Sequence, residues 1–179
     1  MATKRLTIDG YGQVELNNVA FRRDGRIEAQ CKLADGIDYV ENGMLLAVDP
    51  ATRTVKMPEG GDEFIALNYT TEHMYDERLV NGLKHFKLDK NTFCPRLGYL
   101  ATGDKFTTNC ISVEDGKASG ATATAEEVNA VIAVEGGAYG HASANGTILV
   151  NNEKSGAVAK VAYATTMPDG QYAVKFIAL

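Results

Sequence analysis

The sequence predicts an all-β fold, a hairpin-rich sandwich or barrel with at most one or two short helices, and three observations carry the prediction. Ile27, Ala29, Cys31 and Leu33 alternate with Arg26, Glu28, Gln30 and Lys32, the period-two pattern of a half-buried strand. Turn chemistry recurs along the chain, at Asp24-Gly25, Asn42-Gly43, Gly103-Asp104 and Pro168-Asp169-Gly170. The composition is that of a turn-rich β protein, with 18 glycines, no tryptophan, and Ala and Thr frequent in the second half. With 179 residues, 45% of them hydrophobic and 23% charged, the chain reads as one globular domain over 1–179. A chain of this length buries roughly 70% of its unfolded surface. A small, polar stretch near 114–125 marks a loop or a sub-boundary.

Taken in order, Leu6 to Leu16 reads as a first strand and turn around Asp9-Gly10 and Gly12. Asp24-Gly25 then separates NNVAFRR from RIEAQCKL, which predicts an antiparallel hairpin with one face in water. MLLAVD after Asn42-Gly43, and TVKMP after PATR, predict another hairpin, with Pro50 suited to the first central turn position. FIALNY is a buried strand. Between Thr70 and Asn91, Leu79, Val80, Leu83 and Phe86 stand at helical spacing and Asp76 suits a cap. Gly82 and the short length leave a short helix and an ordered loop both open.

Phe93 to Val113 is the stretch around which the chain is organised. Gly103-Asp104 suits a type II′ turn, and counting outward sets Ala101 against Phe106, Tyr99 against Thr108 and Leu97 against Cys110. Apolar groups on both faces of this hairpin predict burial against more than one neighbour. AEEVNAVIAVEGG carries two signals. Thr124 with Glu127 matches a capping box, whereas VIAVE before Gly136-Gly137 matches a strand and turn, and the strand is expected because Val and Ile dominate. GGAYGHASANG is expected as a loop, TILVNN as a strand, and AVAKVAYATT with QYAVKFIAL as a long terminal hairpin across Pro168-Asp169-Gly170. The chain shows no internal repeat.

Function is argued mainly by what is missing. The net charge of −5 argues against direct nucleic-acid binding, which needs clustered Lys and Arg. Lys4, Arg5, Arg22, Arg23 and Arg26 gather near the start, and a solvated face accounts for them. Cys31, Cys94 and Cys110 are an odd count without metal-ligand spacing, and a reducing folding compartment is expected. No export signal or membrane-length apolar run is read, so no membrane partner is expected. There is no GxSxG, and His73, His85 and His141 lie outside any nucleophile motif. The Gly-rich segments lack phosphate-loop spacing. His73, Asp76 and Glu77 are better read as surface than as metal ligands, and Asp62-Glu63 and Glu126-Glu127 point apart on a strand. No catalytic residue, metal or cofactor is expected, and an enzyme is disfavoured. A hydrolase pairing Cys94 or Cys110 with a histidine is the enzymatic alternative.

Pro95-Arg96-x-Gly98, Gly103-Asp104-x-Phe106-Thr107-Thr108-Asn109 and Met167-Pro168-Asp169-Gly170-Gln171 lie in stretches covering roughly a quarter of the chain. Here the sequence resembles small virion structural proteins of tailed bacteriophages, in particular head proteins that decorate or reinforce the capsid. The resemblance implies a part without an active site that binds the major capsid protein lattice as a homo-oligomer, folded in the host cytoplasm and carried on the virion. A tail-tube or connector component is the neighbouring alternative. The expected partner surface is the N-terminal segment, with Lys4 and Arg5, together with the polar 70–91 connection, with His73, Tyr75 and Arg78.

Overall fold

The computed structural model describes residues 2–60, 62, 64–70, 83–115 and 122–179. In chain order the first strands are β1 (Thr3–Arg5), β2 (Val14–Asn18), β3 (Ile27–Glu28), β4 (Lys32–Leu33), β5 (Tyr39–Val40), β6 (Leu45–Asp49), β7 (Thr54–Lys56) and β8 (Ile65–Asn68). A 3-10 turn at Leu83–His85 precedes β9 (Leu88–Asp89), β10 (Leu97–Gly98), β11 (Lys105–Thr108) and β12 (Ile111–Glu114). Helix α1 (Ala125–Ile132) is followed by β13 (Tyr139–Ala142), β14 (Ile148–Asn151), β15 (Ala159–Thr166) and β16 (Tyr172–Ala178).

The fold is all-β. An open eight-stranded sheet runs β1-β12-β14-β13-β15-β16-β11-β2, a six-stranded sheet runs β3-β10-β8-β6-β7-β4, and β5 pairs with β9 apart from both. The two large sheets pack face to face, and neither closes into a barrel. Leu45 and Leu67 of the smaller sheet meet Phe106, Ile148, Val174 and Phe176 of the larger in one core. The opposite face of the smaller sheet carries Leu46, Val48, Val55, Ala66 and Leu97, and it forms a second core with Leu33, Val40 and Leu88. β6 is therefore buried on both faces, which explains its unbroken apolar run.

Two expected hairpins are present, β6 with β7 and β15 with β16. Two others are not. The expected Gly103-Asp104 turn forms one residue earlier, with Thr102-Gly103 at its centre: Asp104 N donates to Ala101 O at 2.9 Å, and Gly103, at φ +91, takes the second central position and not the first of a type II′ turn. Its arms nevertheless diverge: Leu97–Gly98 pairs with β3 and β8, while Lys105–Thr108 pairs with β16 and β2. Burial on both sides of the turn, expected for a hairpin, thus comes from one arm in each sheet. Likewise the turn around Asp24-Gly25 carries the chain from an edge of the larger sheet to an edge of the smaller, and Ile27 is exposed rather than buried. The physical reason is the Asp104 carboxylate. Buried between the arms, it accepts from Ala20 N at 2.8 Å and Ala101 N at 3.0 Å, tying both crossings together.

The expected strand in AEEVNAVIAVEGG is a helix. Thr124 Oγ1 accepts from Glu127 N at 3.3 Å and Glu127 Oε2 accepts from Thr124 N at 2.9 Å, completing the capping box. Val128 is fully buried while Val131 and Ile132 pack against the same core, so the apolar spacing serves one helical face. The expected loop GGAYGHASANG contains β13. Gly140 belongs to that strand because a Cβ there would stand 2.8 Å from Ile148 Cγ2 and 2.9 Å from Phe176 Cε1. Leu79, Val80, Asp76 and Gly82, on which the 70–91 reading turned, lie outside the described residues.

Candidate functional site

Polar side chains are concentrated around residues 9–13, which join β1 to β2, the two edge strands of the larger sheet. Glu41, almost wholly buried, accepts from Arg5 Nη1 at 2.8 Å, and its second oxygen accepts from Arg5 Nη2 and Gly12 N. Burial opposes the charge on Arg5, but the hydrogen bond to Glu41 and the negative charge around it together outweigh that and hold the guanidinium pKa above its ordinary value. Beside this pair, Gln13 N donates to Asn109 Oδ1 at 2.7 Å, Gln13 O accepts from Thr108 Oγ1 at 2.6 Å, and Gln13 Nε2 donates to Asp169 Oδ2 at 2.8 Å. Gln171 closes the arrangement through Asp9 N, which donates to its Oε1 at 2.7 Å. Thr108, Asn109, Asp169 and Gln171 thus pin residues 9–13.

Beside this clamp stands a partly exposed aromatic cluster, with Tyr39 exposed and Tyr11 and Lys87 half-buried. Tyr11 and Tyr39 meet edge to face with ring centroids 5.8 Å apart, and Lys87 Nζ lies 4.8 Å from the Tyr39 centroid and 5.8 Å from that of Tyr11. Asp89 holds Lys87 in place through a 2.6 Å ion pair. The segment is fixed beneath by Tyr11 N, which donates to Lys84 O at 2.7 Å, and alongside by the ladder of β5 with β9. A pocket of about 290 Å³ opens next to Tyr39, with Arg5, Glu41, Met44 and Asn145 among its walls. The cluster offers two rings set at an angle and one cation already paired with Asp89, on segments held by backbone hydrogen bonds, a combination suited to protein contact.

Of the residues expected at a partner surface, Lys4 and Arg5 are both engaged within the chain. Lys4 pairs with Glu127 at the start of α1, and the ammonium holds that carboxyl below its usual range. Arg5 pairs with Glu41. Both sit on β1, paired with β12, so the N-terminal segment is part of the sheet and truncating it does not test a surface alone. His73, Tyr75 and Arg78 lie outside the described residues. Tyr11, Tyr39, Lys87 and Glu41 were not singled out from sequence. Gln13, just before β2, and Thr107-Thr108-Asn109, at the end of β11, are polar residues that the structure buries.

The remaining chemistry is placed as follows. Cys31 and Cys110 are buried free thiols, pushed up by burial to about 11 and about 12, and so are poor nucleophiles. Cys94 is half-buried in a small pocket with Lys32, Thr92 and Phe93, and no hydrogen bond joins it to His85 among the described residues. His141 Nε2 lies 2.8 Å from Glu153 O at the margin of a cleft of about 800 Å³ between the sheets. No group of three or more metal-ligating side chains occurs among the described residues, and no helix there is long and apolar enough to cross a membrane.

Fold and surface together define a two-sheet β protein with a partly exposed Tyr11–Tyr39–Lys87 cluster on its surface. No protein-family model, no curated protein and no solved structure matches the chain.

Proposed function

We propose that the protein is a virion structural part that decorates and stabilises a tailed-phage capsid by binding the outer surface of the major capsid protein lattice. The observation that carries this reading is the Tyr11–Tyr39–Lys87 cluster, backed by the buried Arg5–Glu41 pair. Aromatic rings on a preorganised backbone lose little freedom on docking, and Tyr is enriched at the centres of protein interfaces. The sequence resemblance at 95–98, 103–109 and 167–171 supports the same reading. Decoration needs no active site. Many copies, each bridging neighbouring capsid subunits, together resist opening of the lattice under internal pressure, although each contact is modest.

Purified protein is expected to co-sediment with undecorated capsid shells in saturable amounts. Tyr39→Ala is expected to weaken that binding by about 2 kcal/mol, some thirtyfold, the loss typical of a central interface tyrosine. Unchanged binding by the variant removes the cluster from the contact, and absence of co-sedimentation by the native chain rejects the capsid reading.

A further inference from the structure

We infer that copies of this chain associate head to tail, the arginine turn at one edge of the large sheet entering an acidic groove at the other edge. The groove, of about 460 Å³, lies between α1 and the sheet edge formed by β1, β12 and β14. Val113, Val131 and Val150 line it, and Glu114, Glu127 and Glu153 stand around it. The cation among its lining residues, Lys4, is already bound to Glu127. Glu114 accepts only from the neutral Asn151 Nδ2, at 3.1 Å, and no ion pair reaches Glu114 or Glu153 among the described residues. The groove therefore suits an occupant with positive charge and an aliphatic stem.

The chain carries such a segment. After β2, the turn through Arg22 and Arg23 projects from the opposite edge of the same sheet. Arg23 is 79% exposed and meets only Asp24, while Arg22 is exposed with its guanidinium 5.9 Å from the Tyr69 ring centroid. Arg26, by contrast, is held by Asp24 and Tyr99 O and does not project. Phe21, fully buried, and the 2.9 Å bond from Asp24 N to Ala20 O keep the turn in shape. Neither arginine lines the groove, and no ion pair joins either to Glu114, Glu127 or Glu153 among the described residues, so turn and groove do not meet within one chain. Joining unlike surfaces gives a heterologous contact, which propagates as a ring or a filament rather than stopping at two copies.

The inference does not rest on the capsid reading. It is tested by sedimentation velocity of the full chain over a range of concentration and salt. The native protein is expected to form species larger than two copies at low ionic strength and to dissociate as salt screens the contact. Two variants reverse the charges: Arg22→Glu with Arg23→Glu, and Glu114→Lys with Glu153→Lys. Each alone is expected to associate at least about tenfold more weakly, because like charges then face one another. An equimolar mixture of the two is expected to recover assembly, since each supplies the surface the other lacks. A native chain that remains monomeric or stops at two copies overturns the inference, as does a mixture that fails to recover. Should a variant not fold, loss of native assembly on adding salt, or its persistence, gives the same decision. Shell binding is scored separately. Assembly without co-sedimentation removes the capsid reading alone and favours a tail-tube or connector part, whereas shell binding by a monomer overturns only the head-to-tail contact.

Discussion

At the scale of the residue, Glu41 has the most consequence. Removing it leaves the Arg5 guanidinium without its carboxylate and Gly12 N without an acceptor. Glu41→Ala is expected to cost about 3 kcal/mol, toward the low end for breaking a buried pair because Arg5 stays partly exposed. Urea denaturation measures this, and a loss below about 1 kcal/mol would make the pair no stronger than a surface one. Asp169 sets a pH dependence. Burial pushes its carboxyl up, but hydrogen bonds from the side chains of Gln13 and Gln171 and from Gln171 N outweigh that and leave it below its ordinary value. A depressed carboxylate contributes stability that is fully present above the unfolded value, about 3.9, and is lost as pH falls through the lower folded value. Asp169→Asn is therefore expected to flatten the acid limb of a stability profile below about pH 4. A limb unchanged from the native one would show that the bonds to Asp169 do not stabilise its charge.

At the scale of the element, propensity and capping disagreed over AEEVNAVIAVEGG, and capping prevailed. Val131 and Ile132 favour a strand, yet Thr124 and Glu127 satisfy two backbone donors at once and Val128 fills the core. Thr124→Ala is expected to destabilise the protein by about 1 kcal/mol. The loss should appear first as faster hydrogen exchange over residues 125–132, with the terminal hairpin protected as before. Uniform loss of protection would show that α1 does not open separately. β13 went unread for a related reason. Gly140 looks like a loop residue in sequence, whereas in the sheet it is the only residue small enough to let Ile148 and Phe176 close over it. Gly43 shows the same effect, at φ +84 and with an added Cβ 2.1 Å from Thr108 Oγ1.

At the scale of the whole molecule, the two layers are joined by segments that read locally as hairpins. Turns at Gly103 and around Asp24-Gly25 were legible, but the first lies one residue earlier than expected, and which strand each arm would pair with was not legible. Pairing depends on burial from both sheets and on Asp104 bonding Ala20, a contact between positions far apart in sequence. The same layering puts an acidic groove and an arginine turn at opposite edges, which is what makes a propagating contact geometrically available. Local patterning by itself determined the all-β class, the turn positions, and the β6–β7 and β15–β16 hairpins, because alternation and turn chemistry act over a few residues. Only the tertiary structure decided the two-sheet arrangement, the helix over the strand, and the placing of Tyr11, Tyr39 and Lys87 on one surface. Those outcomes rest on side chains distant in sequence that become neighbours when the core closes.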